Sequence, residues 1–167
     1  MARGSETGQA DVSTVLVADG RPGYGIDVLE EEALGGHTFE RHIGKTEEYL
    51  KARILGSRRN IPYIGGFGER RAGSFTSVEA ANKLINSMLA INKPTLDAFA
   101  ERRVPMVLPF VYLTAHFSSP TGYEAYSPND RAQPVMRATM GVMVHVVRTN
   151  KSARGWRVQR AWPINED

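Results

Sequence analysis

No cysteine occurs among the 167 residues. That absence excludes a disulfide framework, a thiolate nucleophile and a cysteine-held zinc, so the fold must stand on packing alone in any redox compartment. Long apolar runs are missing too. Nothing approaches the roughly eighteen consecutive apolar residues that a membrane-spanning helix needs, and no membrane anchor is expected. The first ten residues hold no apolar stretch and so carry no secretory signal of their own. Internal repeats and low-complexity segments are likewise absent.

What is present has the balance of a soluble globular protein, with 41% hydrophobic and 23% charged residues in a length suited to one domain. Charge is spread unevenly. Residues 1–34 hold seven acids against Arg3 and Arg21, whereas residues 35–167 hold 19 Lys and Arg against 11 acids. A body with that excess of cations suits a polyanionic partner, the plainer alternative being a solvated surface. Residues 1–33 read as an acidic tail or linker in which Val12 to Ala18 is a candidate strand, broken at Asp19-Gly20-Arg21-Pro22-Gly23; residues 34–167 form the domain.

Tyr49, Leu50, Arg53 and Ile54 recur at helical spacing, and Thr46 ahead of Glu47 and Glu48 reads as an N-cap with acids in the first turn. A helix therefore starts at Thr46 and runs to about Leu55, with Gly44 as the break before it and Gly56 as its end. Ser57 to Gly73 reads as a loop carrying the pairs Arg58-Arg59 and Arg70-Arg71, either lying along a nucleic-acid backbone or simply solvated. Thr76 with Glu79 forms a capping box ahead of a helix over 77–91, and Pro94 opens another to about Arg103. From Met106 the pattern changes to strands. Val107 to Phe117 is apolar on both alternations, as in a central strand; Met140 to Val147 and Arg157 to Trp162 follow, with Thr149 to Gly155 as their turn and Ser118 to Arg137 as a long loop, with room for a short strand. Helices first and antiparallel strands after give an α+β fold.

Three tempting motifs fail on spacing. Gly44-Lys45-Thr46 resembles the end of a phosphate-binding P-loop, but Phe39 stands where its first glycine belongs. His37 and His42 are five apart, about 140° on a helix, and so do not form a zinc pair. Gly66-Phe67-Gly68 lacks a strand before it and a helix after it. What remains is a set of His, Arg and Lys around residues 36–53 with no thiol, metal-ligand pattern or serine elbow. Such a set suits phosphodiester chemistry on RNA, which supplies its own 2′-hydroxyl nucleophile. The alternative is that both histidines are capping or core residues. On one straight helix His42 and Arg53 would lie roughly 16 Å apart, too far to share a phosphate, and a bend at Gly44 brings them together.

The block Gly36-His37-Thr38, Arg41-His42-Ile43-Gly44-Lys45-Thr46, Leu50 and Arg53, followed by Ala72-Gly73-Ser74-Phe75-Thr76 and a terminal strand ending in Pro163-Ile164, resembles the bacterial RNase A-like toxin domain over about residues 34–165. That resemblance implies an α+β fold with N-terminal helices on a C-terminal antiparallel sheet, RNase A-like without disulfides. It implies a metal-independent ribonuclease without cofactor, carried by a larger delivery protein into a target-cell cytoplasm and held in check by a cognate immunity protein. By position, His42 and Arg53 match the family's catalytic histidine and arginine. Lys45 and His37 are expected at the substrate.

The family's remaining site positions, a Thr and a Tyr before the final Pro, are Arg160 and Trp162 here. Strict alternation puts Trp156, Val158, Arg160 and Trp162 on one face, so that Arg160 interrupts an apolar row; an unpaired guanidinium buried there would be costly, which argues for a catalytic Arg160 with Trp162 stacking on a base. A catalytically silent RNA- or protein-binding relative is the competing reading, because the usual Thr and Tyr are missing.

Overall fold

A computed structural model describes residues 25–102 and 108–165. Three helices come first: α1 (Val28–Ala33), α2 (Thr38–His42) and α3 (Glu47–Ser57). A small hairpin, β1 (Arg59–Ile61) and β2 (Gly65–Phe67), and strand β3 (Arg71–Ser74) lead into α4 (Val78–Ile91) and α5 (Lys93–Ala100). Five strands follow: β4 (Phe110–His116), β5 (Gly122–Tyr126), β6 (Val135–Thr139), β7 (Gly141–Arg148) and β8 (Trp156–Ile164). They form two antiparallel three-stranded sheets, β3-β5-β6 and β4-β7-β8. The α+β architecture expected from the sequence is the one observed.

Each sheet has its own helix cover. On α4 the 3.6-residue stripe of Ala81, Ile85, Met88 and Leu89 is buried against Leu113, Val142, Val144 and Val146, with Trp156, Val158 and Phe99 completing the cluster. Fully burying one such aliphatic side chain contributes about 1.5–3 kcal/mol, and this cluster anchors the molecule. A smaller cluster joins Leu50 and Ile54 of α3 to Ala72 of β3 and Ala125 of β5.

Several expectations need correcting. Ser77, not Thr76, caps α4, its Oγ accepting from the Ala80 N–H at 3.0 Å. Gly56 does not end α3, which continues to Ser57. The segment 57–73 is no plain loop, since it holds the hairpin and the start of β3, and the long segment 118–137 contributes strand β5 and the first residues of β6, Val135 to Arg137. Strand β4 lies at a sheet edge and β7 is central. Apolar residues on both faces of β4 imitated a central strand because Phe110 and Tyr112 stay exposed on its open side.

Residues 26–33, read as part of the tail, are packed. Ile26 and Val28 are buried in the large cluster, and the Asn86 and Asn82 side chains accept from their N–H groups at 2.8 Å. Glu31 is buried and pairs with Arg154 while accepting from the Val158 N–H at 2.6 Å; Thr38 Oγ1 accepts from the Ala161 N–H at 3.0 Å. Among the described residues the outer edge of β8 is thereby met by side chains and by the His37 N–H, and no strand pairs with it. The candidate strand Val12 to Ala18 lies outside the described residues.

Candidate active site

Thr46 caps α3 as expected, its Oγ1 accepting from the Tyr49 N–H at 3.2 Å, and Gly44 takes φ +62°, the left-handed conformation that turns the chain between α2 and α3. Across this bend the backbone pairs with β3's continuation: Phe75 N–H donates to the His42 carbonyl and Gly44 N–H to the Phe75 carbonyl, both at 2.8 Å. His42, at the end of α2, and Arg53, one turn from the end of α3, therefore face the same pocket, about 310 Å³ in volume, with Glu69, Gly73, Arg160 and Trp162.

His42 is 5% exposed, and its Nδ1 lies 2.9 Å from the Gly73 carbonyl. A carbonyl only accepts, so Nδ1 carries the proton and Nε2 keeps the lone pair. Burial pushes the imidazole down to about 4; the Gly73 carbonyl opposes this, and the charges of Arg53, Arg160 and Arg41 add to it. At neutral pH the ring is thus an uncharged base. Gly73 must be glycine: a Cβ there would sit 2.3 Å from the Pro163 carbonyl, where β3 meets β8.

The cations arrive from opposite sides. Arg53 is gripped by Glu69 through Nε at 2.8 Å and Nη2 at 3.2 Å, which leaves Nη1 buried and without a partner among the described residues. Arg160 comes from β8, where the pairing slips: His145 faces Arg160 but Val146 faces Val158, so Gln159 is the extra residue of a β-bulge. The bulge overturns the strict alternation expected for this strand. Trp156 and Val158 point to the core, as do Ala161 and Pro163 after it, while Arg160 and Trp162 share the other face. Arg160 does not interrupt an apolar row; the row changes residue parity around it. Its guanidinium lies 5.1 Å from the Trp162 ring, which stacks loosely on His42 with centroids 5.8 Å apart.

His37 and Lys45 stand apart from this group. His37 is exposed at the start of α2, its N–H donating to the Gln159 carbonyl at 2.8 Å, and Lys45 Nζ lies over the Tyr49 ring at 5.6 Å; neither lines the pocket. Sequence reasoning missed Glu69 and Gly73. Glu69 beside the Arg70-Arg71 pair was the available signal, an acid set among cations. Among the described residues no three His, Asp or Glu side chains gather where they would hold a metal ion, and no helix is long and apolar enough to cross a membrane.

The family model of the bacterial CdiA-CT RNase A domain matches residues 36–163, which span every pocket residue named above. The chain belongs to this family. Among solved structures, a CdiA-CT/CdiI complex from Y. kristensenii 33638 has the same fold, with a TM-score of 0.61 and 17% identity over 77% of this chain and 99% of the other. No curated protein matches the chain. Membership of the CdiA-CT RNase A family makes this an RNase A-like toxin domain and accounts for an RNase A-like fold in a chain without cysteine.

Proposed function

We propose that the chain is a metal-independent endoribonuclease toxin that cleaves RNA by attack of a 2′-hydroxyl on the neighbouring phosphate. The observation that carries this reading is His42, a neutral imidazole with its tautomer fixed by the Gly73 carbonyl, in a pocket lined by four arginines, Arg53, Arg70, Arg71 and Arg160. Nε2 takes the 2′-hydroxyl proton, the 2′ oxygen bonds to phosphorus, and the bond to the 5′ oxygen breaks. The imidazolium, made a strong acid by its burial, returns the proton to that leaving oxygen. Products are a 2′,3′-cyclic phosphate and a 5′-hydroxyl.

Arg53, through its unpartnered Nη1, and Arg160 neutralise the phosphorane, and such donors are effective because they are fixed in advance by Glu69 and by the strand. Trp162 holds His42 and Arg160 by its ring, in place of the base-stacking role expected from the sequence. His37 and Lys45 take no part at the scissile phosphate. The domain includes Ile26 and Val28, which are buried in its large core, and a delivery protein brings it into a target cytoplasm. A cognate immunity protein, of the kind that accompanies the Y. kristensenii toxin, covers the pocket.

The test is incubation of the purified chain and its His42→Ala variant with total cellular RNA in EDTA, followed by end-group analysis. Cleavage by the wild type alone, leaving cyclic phosphates, is expected. Equal cleavage by both proteins, or 3′-hydroxyl ends, would remove His42 from the mechanism.

A further inference from the structure

The open face of the β4-β7-β8 sheet carries side chains that the catalytic reading leaves unused. Strand register aligns Tyr112 of β4, His145 of β7 and Arg160 of β8 in one row across the sheet. The Tyr112 and His145 rings are nearly parallel, 9° apart with centroids at 4.4 Å, and Phe110 packs edge-on against both at 5.9 and 5.7 Å. Despite this mutual packing Phe110 is 40% and Tyr112 45% exposed. Rings that large on a sheet, held by one another and yet partly open to solvent, form an aromatic surface that the described residues leave uncovered in part.

This surface runs into the pocket. Arg160 Nη2 donates to the Tyr112 hydroxyl at 3.4 Å, and the same side chain lines the pocket beside His42 and Trp162. None of the three strands contains an Asp or Glu, whereas Arg157 and Arg160 lie on the face that carries Tyr112 and His145. We propose that Phe110, Tyr112 and His145 form a stacking platform for an unpaired nucleobase of the RNA strand as it leaves the pocket, with Arg160 joining platform to scissile phosphate. A stack is indifferent to base identity because every base presents a π face, so the platform selects single-stranded RNA over duplex without reading its sequence. This rests on the ribonuclease reading for the phosphate's place in the pocket, and the test below separates the two.

The full chain is compared with Tyr112→Leu, Phe110→Leu and Tyr112→Phe on an unstructured oligoribonucleotide of about ten nucleotides, the same strand with abasic positions, and dinucleoside monophosphates. One stacked base is worth about 1–3 kcal/mol, so Tyr112→Leu should raise KM for the oligonucleotide by about five- to 150-fold, and Phe110→Leu, which leaves the Arg160–Tyr112 contact in place, should raise KM with kcat unchanged. Tyr112→Phe, which keeps the ring, should behave nearly as the wild type. Dinucleotides, which end before the platform, should not distinguish the proteins, and abasic RNA should lose the wild-type advantage. Binding of an uncleavable 2′-O-methyl strand containing 2-aminopurine gives a readout without catalysis: quenching by the wild type should vanish in Tyr112→Leu.

Quenching without any RNA cleavage would uphold the platform and end the ribonuclease reading. Cleavage by the wild type with KM and quenching unaltered in Tyr112→Leu would end the platform and leave the ribonuclease reading intact. Equal losses on dinucleotides would reduce Tyr112 to a prop for Arg160, and a variant that altered only inhibition by an immunity protein would assign the surface to that protein; either result overturns the proposal.

Discussion

The half of the molecule built on β4-β7-β8 and the half built on β3-β5-β6 differ in how they are held. The first buries seventeen apolar residues in one cluster among the described residues, and the second buries four, Leu50, Ile54, Ala72 and Ala125. The pocket opens where they meet. Arg160 and Trp162 come from the large half, Arg53, Glu69 and Gly73 from the small one, and His42 sits between, bonded to the small half through Gly73 and stacked on the large one through Trp162. A site at such a seam is only as well ordered as the lesser core, so activity should respond to the small half more sharply than global stability does.

The largest effect should come from removing the residue both halves share. His42→Ala should lower RNA cleavage by at least a hundredfold to ten-thousandfold, the usual worth of a positioned general base, with circular dichroism unchanged. Next comes the small core: Leu50→Ala should cost about 2–5 kcal/mol, read as a shift in a urea unfolding midpoint, and cleavage should fall before the bulk transition. If activity and fold were lost together, the small half would not be the weaker one.

Arg53→Ala and Arg160→Ala, one from each half, should each slow turnover by roughly one to three powers of ten, as removal of one donor to a developing oxyanion does. Arg160→Thr with Trp162→Tyr introduces the Thr and Tyr that the sequence resemblance implies at these positions. A large rise from a near-silent start would mark the chain as a degenerate relative and contradict the enzyme reading. The smallest effect belongs to Glu69→Gln, which weakens the grip on Arg53 and should change turnover only severalfold, while Arg53→Lys, losing the fork that Glu69 holds, should cost more.

Much of this was legible in the residues. Thr46, the stripe on α4 and the turn before β8 follow from local chemistry, and the His42 to Arg53 spacing with a glycine between them already required a bend. The missed features are those set by distant partners. No local signal marks the Gln159 bulge, because it is where the His37 N–H meets the Gln159 carbonyl, across more than a hundred residues of chain. Ile26 and Val28 sit in an acidic stretch whose burial depends on Asn82 and Asn86 of α4. The open aromatic face of β4 read as core because exposure, unlike hydrophobicity, is not written in the residue type.

That two halves meet around a neutral His42 is tested most directly by the pH dependence of cleavage at subsaturating RNA, with folding followed in parallel. Burial and the arginines depress the histidine from 6.5 to about 4, so its contribution to stability is complete above pH 6.5 and is lost as pH falls through 4, about 3 kcal/mol in all. Over the range in which the protein stays folded, the rate should therefore be flat from neutrality down to about pH 5 and fall by half near pH 4, a limb absent from the residual activity of His42→Ala. A rate already halved near pH 6.5 in folded protein, or the same acid limb in His42→Ala, would contradict the account.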